Sequence, residues 1–582
     1  MKLSDYVIDF LVSKGVTHVF EVAGGSITYM LDSLYDRQDI QAVCMHHEQS
    51  ASFAAEGYAR ISGKPGVAMA TSGPGVTNLI TGIGSCFFDS VPTLFVTGQV
   101  NTYEFKFDRP VRQVGFQETD IINIVKPIVK DALLVTDETK IRYELERLFD
   151  VACSGRPGPV LIDLPMNIQR AIIMPEEQES YDETRVETGE VSDDDIDKVF
   201  TLIEHSQRPV VLIGGGIRLS GATEELYYFL HKTGIPVVSS LMGLDSFPHD
   251  NELYVGMIGT YGNRYANLTL ANSDLVIAMG TRLDTRQTGT KPESFARYST
   301  VVHVDIDPSE LNSKIKADIA INSDVRKFLA KLNNHPLGCK NISPWIDRIK
   351  QYKIKYPDYV KPESNEIPPN YLMHELSGHL PEDTILCVDI GQNQMWSAQS
   401  IVLRKGQRLL TEGGMASMGS ALSIAIGASF SCPGRPIAVI TGDGGFQLNI
   451  QELQTVYHHD LPIKIILLNN RGYGMIRQFQ DQYFDGRHQS TGIGYSCPDF
   501  QKVVSAYSIP VAKILTIRNM AEGLEWLFED KKPKFLEVLI SDRSVVTPKL
   551  GVNKPIEDQD PPLSPDELRS NMVTDILEKE KV

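Results

Sequence analysis

The chain lacks most of the features that mark secreted, membrane-spanning or nucleic-acid-binding proteins. Its 582 residues hold only seven cysteines, scattered and without a Cys-x-x-Cys pair, which argues against both a disulfide framework and a zinc site. No apolar run approaches the roughly 20 residues that cross a bilayer. Lys and Arg number 56 against 74 Asp and Glu, a formal charge of −18, which disfavours a phosphate-backbone partner. The N-terminus, MKLSDYVIDFLVSKG, has neither the basic start of a signal peptide nor the arginines of a transit peptide. It reads as an amphipathic helix carrying Asp5 and Asp9, and it points to a cytoplasmic protein acting on small molecules.

What is present is alternation of strand and helix signals in three blocks, which predicts an α/β chain of three doubly wound, mostly parallel sheets. The first block, residues 1–175, has strand-like runs at 19–22, 42–45, 67–71, 93–97 and 160–163, with a helical stretch at 49–61. An acidic run at 175–195 reads as a linker. The second block, 190–337, begins with a strand, a glycine loop and a helix, and adds strands at 236–239, 275–279 and 301–306. Residues 338–365, charged and containing prolines, read as a second connector. The third block spans 366–547. A tail, 548–582, is too proline-rich and acidic for a core strand and is expected to lie over the surface.

The third block carries the strongest chemical signal. Asp443 stands among Gly442, Gly444 and Gly445 after the apolar run 437–440, and Asn470 ends the next such run 27 residues later. Parallel sheets bind ligands beyond the carboxyl ends of their strands, where glycine admits an anion close to the backbone. A hard cation such as Mg²⁺ takes oxygen ligands and commonly bridges to phosphates. Asp443, Asn470 and the carbonyl of Gly472 would supply three of them. The bland alternative is that Asp443 caps the following helix.

GDGGFQLNIQELQT with LLNNRGYGMIRQFQ resembles the diphosphate motif of thiamine diphosphate enzymes, in detail that of acetolactate synthase catalytic subunits, and the likeness extends through all three blocks. It implies a Pyr domain, a central domain and a PP domain. The implied cofactors are thiamine diphosphate, Mg²⁺ and a non-redox FAD, and the implied partners are 2-keto acid substrates. The resemblance further implies a homo-oligomer with active sites shared between chains and admits a small regulatory chain, without choosing dimer or tetramer. The implied reaction is decarboxylation of pyruvate and carboligation to a second 2-keto acid.

Site residues follow from the same likeness. MHHEQSASFAAEGYAR places Glu48 where the family's glutamate contacts the cofactor pyrimidine and promotes the ylid; a helix cap is the structural alternative. ATSGPGVTNLITGI and LFVTGQV supply Ser72, Gly73, Pro74, Asn78 and Gln99. DIGQNQMW supplies Gly391, Gln392 and Asn393, the last where histidine is usual. TEGGMASMGS supplies Gly414 and Met418, the apolar wedge under a bent cofactor, and the PP-domain loop adds Tyr473 and Met475. VRQVGFQETDIINIVKPIVK implies Phe116 and Gln117 entering a partner's site and Lys130 beside the channel.

GTRLDTRQTG gives Arg286 as a bidentate anchor for the acceptor carboxylate, with Leu283 and Thr285 replacing phenylalanine and aspartate. Phe479 replaces a tryptophan that favours larger acceptors. A flavin would use Gly214, Gly215, Gly216, Arg282 and Asp305. The competing readings are a 2-keto acid decarboxylase or aldehyde lyase, a specialised carboligase with another acceptor, and an inactive regulatory relative, which intact Glu48, Asp443 and Asn470 oppose.

Overall fold

A computed structural model describes residues 1–182 and 189–577; residues 183–188 of the expected acidic linker and the last five of the tail lie outside it. Three six-stranded sheets account for the chain's architecture, and every pairing within them is parallel. The first holds β1 (His18–Val22), β2 (Gln41–Cys44), β3 (Gly66–Ala70), β4 (Thr93–Gln99), β5 (Asp131–Leu134) and β6 (Pro159–Pro165) in the order β2-β1-β3-β4-β6-β5. The second holds β7 (Pro209–Ile213), β8 (Val237–Ser239), β9 (Tyr254–Met257), β10 (Leu275–Met279), β11 (Thr300–Asp305) and β12 (Ile319–Asn322), ordered β12-β11-β10-β7-β8-β9. The third holds β13 (Ile385–Val388), β14 (Arg408–Leu410), β15 (Ile437–Gly442), β16 (Ile463–Asn469), β17 (Val511–Ile514) and β18 (Lys534–Leu539), ordered β14-β13-β15-β16-β18-β17. Central strands such as β4, β10 and β16 are buried along their whole length, as sheets covered on both faces require.

Two connectors differ from the sequence expectation. Ser343–Lys355 is a helix that sinks Trp345, Ile349 and Tyr352 against the central domain, because its apolar residues recur at helical spacing among the charges. At the end of the acidic run, Asp193–His205 is also a helix. Ser192 caps it, accepting from Asp195 N at 3.0 Å, and Asp193, Asp194 and Asp195 occupy its first turn, where negative charge offsets the free amides. The tail is folded too: Lys549–Leu550 (β19) pairs antiparallel with Gln559–Asp560 (β20), and Ile556 and Met572 join a central-domain core.

The first and third domains share one apolar core, running from Phe20, Phe53 and Phe95 to Ala425, Val439 and Phe535. Its centre is the crossing of the Glu48–Ser62 and Ser420–Ser431 helices. A Cβ at Gly57 would stand 2.1 Å from Ile424 O, and one at Gly427 would stand 1.8 Å from Ala54 O. Only glycine lets the two backbones touch. Gly57→Ala is therefore expected to destabilise the chain in chemical denaturation by about 1–3 kcal/mol or more, despite alanine's better helix propensity. Gly25→Ala, where an added Cβ meets nothing within 4 Å, should stay within about 0.5 kcal/mol of wild type.

Candidate active site

The register of the third sheet builds the oxygen cluster. Gly442 pairs with Leu468, so the residues that leave β15 and β16 emerge side by side. Asp443 is buried and opens the Asp443–Phe446 helix, whose N-cap is Gly442. Its Oδ2 accepts from Gly472 N at 3.0 Å and from Tyr495 Oη at 2.7 Å. Asn470 Nδ2 donates to Gln392 Oε1 at 3.1 Å, while its Oδ1 faces Gly472 O at 2.8 Å and Asp443 Oδ1 at 3.1 Å. Three acceptor oxygens thus meet without a proton between them, unless the amide turns over to donate to both. Burial pushes the Asp443 carboxyl up from its ordinary range, as expected for a carboxylate that waits for a positive charge.

The surrounding glycines have specific neighbours. A Cβ at Gly444 would meet the Tyr473 ring at 2.4 Å, and one at Gly445 would meet Asp389 Oδ2 at 2.3 Å. Gly391 has φ +136° and faces Asn393 Oδ1, as does Gly442. Asn393 Nδ2 donates to Asp389 O at 2.6 Å, and Gln392 Nε2 reaches Gln478 Oε1 and Ser544 O. Met418 lies in the loop before the Ser420–Ser431 helix, which turns through left-handed Ala416 and Gly419. Asp389 ties that loop down by accepting from Gly419 N at 2.8 Å and from Thr441 Oγ1 at 2.7 Å, and burial pushes its carboxyl up to about 6. Tyr473 packs edge-on against Tyr495, and Met475 borders the neighbouring core.

Glu48 forms a second cluster in the first domain. The cap of its helix is His47, whose Nδ1 accepts from Gln49 N at 3.0 Å. Glu48 is thereby left to accept from Asn78 Nδ2 at 2.9 Å, with its other oxygen toward Gly75. Gly73, at φ +68°, lets Gln117 pack over the Ser72–Gly73–Pro74 turn, Ser72 N donating to Ser26 Oγ. Phe116 beside it is 86% exposed. Among the described residues no hydrogen bond or ion pair joins this cluster to Asp443 or Asn470.

Two predicted residues sit elsewhere. Lys130 Nζ caps the Ile141–Cys153 helix through Ser154 O at 2.7 Å and Val151 O, so the amine is held by carbonyls rather than at the Glu48 cluster. Gln99 spends its amide on Thr119 O, Asp163 Oδ2 and Val100 N, inside the sheet.

A third feature is a cavity of about 790 Å³ where the three domains meet. Gly215, Gly216, Arg282, Arg286 and Asp305 line it. Gly214 does not; it packs on Gly280, which a Cβ would strike at 2.2 Å. Arg282 Nε pairs with Asp284 at 2.9 Å, and Asp305 accepts from Asp307 N at 2.9 Å, its carboxyl pushed up by burial.

Comparison with known proteins matches the chain to the thiamine pyrophosphate enzyme N-terminal TPP binding domain over residues 1–124, the central domain over 196–332 and the C-terminal TPP binding domain over 389–538. The chain belongs to the thiamine pyrophosphate enzymes. It is 37% identical to acetolactate synthase 2, chloroplastic, of Nicotiana tabacum, over 94% of this chain and 83% of that one. It is 35% identical to the acetolactate synthase large subunit of Lactococcus lactis, over 94% and 93%. It is 36% identical to acetolactate synthase, chloroplastic, of Arabidopsis thaliana, over 94% and 82%. No described helix is long and apolar enough to cross a membrane.

Sequence reasoning missed Tyr495, Asp389 and Glu412. Asp389 carries the signal that revealed Asp443, an acid at the carboxyl end of a parallel strand. Tyr495 and Glu412 have no comparable mark. Glu412 is 1% exposed and lies beside a buried group in which Arg60 pairs with Glu56 at 2.7 Å and Asp89 at 2.9 Å. Burial first, and the Glu56 carboxylate second, push the Glu412 carboxyl up to about 8. A folded pKa above the unfolded one means that its stabilisation is full at low pH and is lost as pH rises toward about 8. Glu412→Gln, which mimics the protonated acid, is expected to melt higher than wild type at about pH 8, the gap closing toward about pH 5. Thermal melts across that range check it.

Proposed function

We propose that this thiamine diphosphate enzyme decarboxylates pyruvate and ligates the product to a second carbonyl, as an acetolactate synthase-like carboligase. The observation that supports this most is the freedom of Glu48: His47 has taken over the capping duty, and the carboxylate is held by one amide at the edge of a glycine turn. Such a carboxylate can share a proton with a ring nitrogen, the task the cofactor's pyrimidine sets.

The PP-domain residues fit a metal-bound diphosphate. Mg²⁺ takes oxygen ligands, and the Asn470 amide, the Gly472 carbonyl and the Asp443 carboxylate offer them within 2.8 and 3.1 Å of one another. Among the described residues no cluster of three His, Cys, Asp or Glu could hold a metal, so this amide–carbonyl–carboxylate set is the candidate. Asp443, Asn470 and Gly472 would hold the ion, with Gly391, Gln392, Asn393, Gly442 and Gly444 around the diphosphate and Met418 under the rings. Thiamine diphosphate, when bound, supplies the electron sink that decarboxylation and carbon–carbon bond formation need.

Arg286 would orient the acceptor carboxylate, and Phe479 leaves a wider pocket than a tryptophan would, a difference of about 1–3 kcal/mol per methylene-sized contact. The Glu48 and Asp443 clusters lie apart within one chain, and exposed Phe116 has nothing to cover it. Both features support a homo-oligomer whose sites combine two chains, which would also keep water from the reacting centre. The 790 Å³ cavity, with Gly215 and Gly216 at a strand end and Arg282 and Asp305 on its wall, fits a flavin dinucleotide as a structural group. A small regulatory chain remains a further partner in this reading, to be sought by co-purification.

Incubation with pyruvate, thiamine diphosphate and Mg²⁺ is expected to yield acetolactate; acetaldehyde alone would overturn the carboligase assignment. Chelation should abolish the activity and Mg²⁺ restore it. Glu48→Gln should cost at least about 10²-fold in kcat. Protein purified without added cofactor is expected to show the flavin absorbance band, and a colourless preparation would remove FAD.

A further inference from the structure

Two cations, neither in a salt bridge among the described residues, stand where the central domain meets the tail, the charge of Asp560 acting on Lys549 from its strand partner's position. Arg286 lies 5.5 Å over the Tyr261 ring, and among the described residues its guanidinium has no hydrogen bond or ion pair. Lys549, the first residue of β19, places Nζ 5.5 Å over Phe479 and 5.7 Å over Tyr483 and donates to Gln482 Oε1 at 2.9 Å. Its strand partner Asp560 is engaged by Lys554 at 3.5 Å and by Gln482 Nε2 at 3.3 Å. No carboxylate among the described residues pairs with Lys549.

Backbone hydrogen bonds bring the two cations together. Leu550 N donates to Thr260 O at 2.7 Å, and Thr260 N donates to Arg286 O at 2.7 Å. Two such rungs of about 4.8 Å put β19 roughly 10 Å from the Arg286 backbone. Tyr261, whose phenol is raised by burial, also feels Arg286 and Tyr483, so the rings beneath the two cations are neighbours. In a chain of charge −18, two cations held over aromatic rings, with Phe479 and Tyr483 exposed and no salt bridge to either cation among the described residues, are placed for an anion. Arg286 suits a planar carboxylate, and Lys549 acts as a point charge at the other end.

We infer that Lys549 is a specificity-determining residue: with Arg286 it selects a carbonyl acceptor bearing a second anionic group, carboxylate or phosphate. The inference rests on the carboligase reading. With pyruvate as donor, kcat/KM is to be measured for 2-oxoglutarate, for 3-phosphohydroxypyruvate and for singly charged 2-oxobutyrate. At least one dianion is expected to exceed 2-oxobutyrate by roughly tenfold, and the better of the two identifies the second group. That ratio should fall about tenfold in Lys549→Met and be largely kept in Lys549→Arg, with matching circular dichroism spectra for all three proteins. High salt should shrink the ratio in wild type more than in Lys549→Met. Equal use of all three acceptors, or an unchanged ratio in Lys549→Met, overturns the inference while acetolactate formation stands. Absence of any ligation product overturns the inference and the proposed function together.

Discussion

The contact on which the rest of the molecule depends is a helix crossing in which two glycines replace side chains. At Gly57 and Gly427 the Glu48–Ser62 and Ser420–Ser431 helices come close enough that an added methyl would strike a backbone carbonyl. Each helix carries functional groups at its start, Glu48 on one and the Met418–Gly419 loop on the other. The crossing therefore fixes the starts of both helices, one in each domain, at once. Arg60 extends the same joint, bonding Thr411 O at 2.8 Å while Asp89 accepts from Gly413 N and Gly414 N, both at 2.9 Å.

Buried carboxyl groups recur at the ends of the strands, and each has a distinct solution to the cost of burial. Asp389 is satisfied by backbone amides and a hydroxyl, and its job is to hold a loop. Asp443 accepts from Gly472 N and Tyr495 Oη, and the Asn470 amide lies 3.1 Å from its Oδ1. Glu412 keeps one oxygen without a partner and feels the Glu56 carboxylate, which with Asp89 is paired to Arg60. A protonated carboxyl is the inexpensive state there.

Much of this was legible in the chain itself. The three alternating blocks became three parallel sheets because strands buried on both faces must be continuous apolar runs, and such runs are visible without coordinates. Strands β5, β9 and β12 were not visible: they are short, and all three lie at sheet edges, where neighbouring structure rather than composition makes the strand. The helix Ser343–Lys355 was hidden by its charges, since only contact with the central domain shows which side of it is apolar. Lys130 and Gln99 show contacts that a motif does not foretell. A motif places a residue near a site, but a long flexible side chain bonds whatever acceptor its own neighbourhood offers.

By itself the sequence determined the kind of chemistry, because an acid, an amide and glycines at adjacent strand ends, with a glutamate opening a distant helix, are local patterns that parallel α/β topology converts into one class of site. Only the tertiary structure decided that His47 and not Glu48 caps the helix, that the tail returns to the segment that carries Arg286, and that Asn470 meets Asp443 and Gly472. Those outcomes depend on distances between residues far apart in the chain, and such distances are set by packing rather than by any local preference.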